Sequence, residues 1–401
     1  MHIRTFFRSF ALILINTIIL FVILNMLSAF ALFVWKPQKT EDIAKHSRNP
    51  LLNYYGYEAL RSRFPGKSEV ELNTFLNSVW GIRQNYEPFI QMRSSEIRSE
   101  YVNIAEAGYR FNGVEANPWP IDVTAFNVFV FGGSTTLGIG VADSDTVVAR
   151  LEAHLQRTNE RKVNVYNFGV GAFFSRQEVF YFIKLLLEGS VPDVVIFIDG
   201  LNDTAIWRGE PVHSDWYRQF RQMVDNFGRQ HDAVYHLKMF IQRLPLILLA
   251  ERVSQRHERP GMPLWSKELS DEVASDPNVL GDILKRYIQN VNLALELAKS
   301  RDIEALFVWQ PVPFYEYPFE DAHVSSFHEI IGEHKRSDFM YPYVNEYIQN
   351  NNMPERFHWC GAAFSKADDI TYIDQVHYNG HGAELLSECI LSGLNKFRIL
   401  D

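Results

Sequence analysis

From Phe126 onward, short apolar runs rich in β-branched and aromatic residues alternate with segments of helical periodicity. The runs are Phe126–Phe131, Val163–Phe168, Val194–Ile198 and Ala305–Trp309. Near-continuous apolar character suits strands covered on both faces of a parallel sheet. In Thr146–Gln156, Val147, Val148, Leu151 and Leu155 fall on one helical face. Val179–Leu187, Ile283–Ala298 and Ala383–Phe397 repeat that pattern. Strand, helix and strand succeed one another at about 30-residue spacing, as in βαβ units. The pattern predicts an α/β domain over 121–401, built on a doubly wound, flavodoxin-like parallel sheet.

Two stretches break the rhythm. Thr204 to about Leu280 exceeds a single crossover by roughly 50 residues. It holds Trp207, Trp216, Tyr217, Phe220 and an apolar run at Leu244–Ala250. It is expected to be a helical insertion (204–280) at the strand edge, in the position of a lid. A second excursion, 311–370, is aromatic and histidine-rich. Both would flank one mouth, where such folds set specificity. Residues 37–120 read as a linker and an amino-terminal layer, with weak helical patterning over Val70–Trp80 and no residue assigned to chemistry.

Phe10–Val34 is almost wholly apolar and uncharged. A bilayer span takes ~20 residues, so residues 1–36 are expected to be a tail and a transmembrane anchor. Arg4 and Arg8 precede the span, and Lys36 and Lys39 follow it. The short leading tail favours a cytoplasmic amino terminus, with the rest of the chain exported to the periplasm or cell surface. Ala29-Phe30-Ala31 offers a signal-peptide cleavage site as the rival reading. The apolar stretch outruns a usual signal core and continues to Trp35, which favours the uncleaved anchor.

Composition narrows the function. The net charge of -9 and the lack of any lysine- and arginine-rich run exclude a phosphate-binding face, and with it nucleic acid as a partner. There are two cysteines, Cys360 and Cys389. An exported domain can join them. Cys389 lies on the apolar stripe of the last helix, so the expectation is a buried, unbonded residue.

The run Val128–Phe131 stops at Gly132-Gly133 and delivers Ser134. That is how a parallel strand presents a nucleophile at the carboxyl edge of a sheet. A serine hydroxyl needs a base, and His377 can supply it. Asp374, three residues earlier, can hold the Nδ1–H and leave Nε2 toward Ser134. A tetrahedral oxyanion needs donors. The Ser134 N–H, the Asn202 carboxamide after the third strand, and backbone N–H groups near Gly171-Ala172 can provide them. Each piece has a plainer structural role: Asp-x-x-His pairs cap helices, Asn202-Asp203 can form an Asx turn, and Gly169–Ala172 can be a simple turn. Their common position at strand ends favours a site.

Other chemistries fit less well. Gly132–Thr136 lacks the Gly-Lys-Ser/Thr ending of a phosphate loop. His328-Glu329 and His334 are wrongly spaced for a helical zinc pair. His358-Trp359-Cys360 could touch a metal but reads better as a loop near the mouth, and His381 as a capping residue or one supporting His377 from behind. No metal site is expected.

Ser134 in Gly132-Gly133-Ser134-Thr135, Asn202 in Gly200-Leu201-Asn202-Asp203, and Asp374-Gln375-Val376-His377 together resemble the SGNH (GDSL-like) hydrolases. Gly-Gly-Ser-Thr stands for the usual Gly-Asp-Ser. The match covers Phe126 to the end, interrupted by the insertions. The resemblance implies an esterase working through an acyl-Ser134 intermediate, with no cofactor. Asp374 and His377 would complete the catalytic set, and Asn202 and Ala172 would line the oxyanion hole. The family's oxyanion glycine falls at Ala172, which can serve if its φ stays negative. The implied substrate is ester-bearing, an O-acylated glycan or lipid. An envelope O-acyltransferase and a non-catalytic envelope binding module are the alternatives.

Overall fold

The computed structural model describes residues 2–34, 49–205, 232–254, 270–318 and 332–400. The chain forms two compact units: Met1–Pro50 with Arg218–Pro263, and Leu51–Tyr217 with Leu264–Asp401.

In the first unit, Arg4–Val34 of the helix His2–Val34 is long and apolar enough to cross a membrane. The apolar run near Leu244 becomes the helix Pro245–Ser254, preceded by Ala233–Gln242. The Leu246 N–H donates to Asn25 Oδ1 at 3.3 Å. These two helices group with the amino-terminal helix. Trp207, Trp216, Tyr217 and Phe220 lie outside the described residues.

In the second unit, β1 (Gln84–Glu87) and β2 (Gln91–Ser94) form an antiparallel hairpin. The main sheet comprises β3 (Phe126–Gly132), β4 (Val163–Asn167), β5 (Val194–Asp199), β6 (Glu304–Trp309) and β7 (Phe357–Trp359). All its pairings are parallel, in the order β4-β3-β5-β6-β7. Counted from its first strand, that is the 2-1-3-4-5 order of flavodoxin-like folds. The pleat sorts side chains by parity. Phe131, Phe168, Phe197 and Phe307 point to one face, where Phe131 stacks on Phe168 at 5.5 Å and Phe197 on Phe307 at 5.2 Å. Helices Ser175–Leu187, Pro277–Lys299 and Ser337–Asn350 cover that face. Val128, Val130, Ile196 and Val308 point to the other, under Val147–Thr158 and Gly380–Lys396. The sheet is thus doubly wound, as its apolar runs predict.

Two expectations are corrected. His358-Trp359 belongs to β7, within the 311–370 excursion, and not to a loop. The segment is too short and too polar to carry a strand pattern. Cys360 and Cys389 are joined by a disulfide with Cα atoms 6.1 Å apart. The strand end carrying Cys360 lies beside the helix face carrying Cys389, a proximity that only the fold creates.

Candidate active site

Ser134 opens the short helix Ser134–Leu137 directly after β3. Both preceding glycines are sterically required. A Cβ on Gly132 would collide with the Thr136 side chain, and one on Gly133 with Asn202 Nδ2. Three neighbours fix the turn. Thr135 Oγ1 donates to Gln310 Oε1 at 2.9 Å, beyond the end of β6. Asn167 Nδ2, at the end of β4, donates to the Thr136 carbonyl at 2.9 Å. Arg110, 0% exposed, pairs with Asp143 at 2.8 Å and donates to the carbonyls of Leu137 (2.9 Å), Gly138 (2.6 Å) and Val141 (2.7 Å). The guanidinium thereby satisfies the helix-end carbonyls that a helix this short leaves open. Sequence reasoning gave Arg110 no role.

Asp374 and His377 are brought together as the spacing predicts. His377 Nδ1 lies 2.8 Å from Asp374 Oδ2. Asp374 Oδ1 accepts the N–H groups of Val376 (2.9 Å) and His377 (2.7 Å). Burial alone would raise the Asp374 pKa. The charge and hydrogen bond of His377, with the backbone donors, outweigh it and hold the carboxyl below its ordinary value. An anionic Asp374 fixes the proton on Nδ1 and leaves Nε2 the basic nitrogen. Nε2 is buried and has no hydrogen-bond partner among the described residues, so Ser134 and His377 are not hydrogen-bonded to each other here. The neighbouring Tyr378 hydroxyl donates to the Pro311 carbonyl at 2.8 Å, tying this turn to the carboxyl end of β6.

A further histidine senses this pair. His334, on the turn Gly332–Arg336, has its pKa pushed down to about 4 by burial and by the nearby His377, against the opposing pull of Asp374.

Asn202 lies on the helix Leu201–Ala205, past the carboxyl end of β5. Gly200, with φ +110°, makes the turn, and a Cβ there would lie 2.8 Å from the Trp309 ring. Asn202 Nδ2 donates to the Phe173 carbonyl at 2.6 Å and faces Gly133. One amide hydrogen is thus committed, and the second lies beside the residue preceding Ser134. Ala172 departs from expectation: its φ is +64°, not negative. A turn closed from the Phe173 N–H to the Val170 carbonyl (3.1 Å) puts Ala172 third, the place where a type II turn requires positive φ.

Beneath Asn202 lies a buried acid cluster. Ser175 Oγ donates to Asp203 Oδ1 at 2.5 Å, and Asn290 Nδ2 donates to Ser175 Oγ at 2.8 Å. Burial first, then the charge of Asp199, raises the Glu178 carboxyl well above its ordinary range. Burial, then the charge of Asp203, does the same to Asp199.

No protein-family model matches the chain, and no curated protein matches it. Solved structures similar to it include the lipase Lip_vut3 from a goat rumen metagenome, at 14% identity and TM-score 0.38, covering 67% of this chain and 97% of that one. A member of the lipolytic G-D-S-L family from Veillonella parvula aligns at 14% identity and TM-score 0.33, covering 67% and 97%. The psychrotrophic esterase EstA from Pseudoalteromonas sp. aligns at 11% identity and TM-score 0.34, covering 68% and 98%. Overlaps of this size leave the assignment to the chain's own strand order and site geometry.

Proposed function

We propose that this chain is a serine esterase of SGNH type, with Ser134 as nucleophile, His377 as general base and Asp374 as the group that orients it. The observation that carries this reading is the Asp374–His377 pair, whose Nε2 is left open. Ser134 follows β3 and Asn202 follows β5, so parallel strands bring both to one sheet edge. The tie from Tyr378 to Pro311 anchors the His377 turn at the end of β6.

In this mechanism Ser134 Oγ attacks an acyl carbonyl while its proton passes to His377 Nε2. The oxyanion takes hydrogen bonds from the Ser134 N–H and the Asn202 amide. Collapse breaks the ester C–O bond, and His377 returns the proton to the leaving alkoxide. Water, deprotonated by the same nitrogen, releases the acid from acyl-Ser134. The apolar amino-terminal helix supports an anchored enzyme with its domain outside the cytoplasm, acting on O-acylated glycans or lipids. A glycan hydroxyl in place of water would make it an acyltransferase.

The test treats the full-length protein in detergent with a fluorophosphonate and locates the adduct by mass spectrometry. The expected result is one adduct on Ser134, lost in Ser134→Ala and His377→Ala. A folded protein that stays unlabelled, or labels elsewhere, overturns the reading in favour of a binding module. Free acid as the sole product from an acylated glycan would remove the transferase branch.

A further inference from the structure

The helix Glu69–Trp80 precedes the sheet and contributes nothing to the serine, asparagine or histidine blocks. Its last residue nevertheless touches the candidate base. The rings of Trp80 and His377 meet edge to face, with centroids 5.2 Å apart and planes at 79°.

The contact is built, not incidental. A capping box between Ser68 and Glu71 starts the helix, and Leu72, Phe75, Leu76 and Val79 bury one face. At the other end, the Gly140 N–H donates to the Val79 carbonyl at 3.3 Å. Gly140 has φ +95°, and a Cβ there would lie 3.3 Å from Trp80 Cζ3 and 2.7 Å from Ile373 Cδ1. Gly140 belongs to the loop after the Ser134 helix, and Ile373 directly precedes Asp374. Trp80 is therefore wedged where the serine loop meets the turn that carries His377. The same layer reaches the neighbouring loop, where Gln84 Nε2 donates to the Gly171 carbonyl at 3.2 Å.

We infer that Trp80 is a positioning residue for His377, holding the imidazole in place and stabilising its protonated form during turnover. This rests on the reading of His377 as the general base. Indole is the strongest side-chain π partner for a cation, effective within ~6 Å of the ring centroid. The neutral rings already attract edge to face, and a cation–π component is added when the imidazole takes the serine proton. It therefore acts on the charged intermediate more than on the resting state. Asp374 from the same turn and His334 from Gly332–Arg336 are the titratable groups acting on that charge.

The test compares full-length wild type, Trp80→Phe and Trp80→Leu in detergent. Two readouts are used: the pH profile of p-nitrophenyl acetate hydrolysis, and NMR titration of the His377 ring, assigned by its loss in His377→Gln. In Trp80→Leu, kcat is expected to fall about 3- to 30-fold, with KM little changed. The acidic limb of the profile and the ring's titration midpoint should both move to lower pH. Trp80→Phe should show smaller shifts in the same direction, and it carries the test if the leucine variant does not fold. A fall in kcat with both midpoints unmoved would mean packing only, and would overturn the inference. The titration needs no turnover. An inactive wild type whose His377 midpoint still falls in Trp80→Leu would sink the esterase reading while upholding the Trp80 contact.

Discussion

Asp374 spends both carboxylate oxygens on the turn that ends at His377: Oδ2 on the ring Nδ1 at 2.8 Å, and Oδ1 on the N–H groups of Val376 and His377. One residue thus sets both the backbone and the tautomer of His377. Asp374→Asn should keep the fold, because an amide can still accept the backbone bonds. It should let the imidazole proton settle on the wrong nitrogen. A loss of about 10³- to 10⁴-fold in kcat is expected. Steady-state hydrolysis by full-length protein checks it, and a loss under about tenfold would remove Asp374 from the mechanism.

Arg110 and Asp143 form the buried ion pair that finishes the Ser134 helix. Removing one partner of such a pair strands the other's charge and costs about 3–5 kcal/mol. Arg110→Met should destabilise the protein by that amount, measured by urea unfolding, and should slow fluorophosphonate labelling of Ser134. Adding Asp143→Asn should recover part of the stability, because the orphaned carboxylate is removed.

These examples show what the sequence could carry. Strands β3 to β6 were legible because long apolar runs such as Val128–Phe131 must be buried on both faces. The Asp374–His377 pair was legible because a three-residue spacing is local geometry. Arg110 was not, because its partner is 33 residues away and the segment around it has no period. The Trp80 contact joins residues far apart in the chain, and no local pattern announces it. Ala172 matched a family position, but a residue's place in an alignment does not give its φ.

Glu178 and Asp199 give the protein an alkaline weakness. Their folded-state pKa values are raised, by burial and by neighbouring acids. The folded state therefore binds more protons than the unfolded chain above the ordinary carboxylate range, and stability falls as pH rises. The contribution is full below pH ~4 and is lost progressively on going up through the raised values. Glu178→Gln keeps the shape and removes one titrating group. Thermal unfolding followed from pH ~4 upward should show a steeper loss in wild type than in the variant; parallel curves would refute the assignment.

His334 works in the opposite direction. Its folded pKa is depressed to about 4, so the folded state favours the neutral ring. Its contribution is present above the unfolded value near pH 6.5 and is lost as pH falls toward about 4. His334→Gln should therefore flatten the stability curve between those limits and leave it unchanged above neutrality. Urea midpoints at pH 5 and 7.5 decide this: an equal drop from wild type to variant at both pH values would rule the titration out.

Asn202 and Ala172 are paired by motif, and only Ala172 has a backbone conformation the motif does not anticipate. The Asn202 amide has one hydrogen on the Phe173 carbonyl and faces the residue before Ser134. Loss of an oxyanion donor typically costs ~100- to 1000-fold in turnover, so the proposed role of Asn202 predicts a fall of that size in kcat for Asn202→Ala. Ala172 sits at φ +64°, a conformation that strains an L-residue and suits glycine. Ala172→Gly keeps the backbone N–H and relieves that strain. Relief of ~1–2 kcal/mol of strain less ~0.5–1 kcal/mol of added chain entropy should leave stability equal or up to about 1 kcal/mol higher, with kcat within about twofold of wild type. If Ala172→Gly instead lost activity while folding normally, the alanine methyl itself would have to be in contact with substrate.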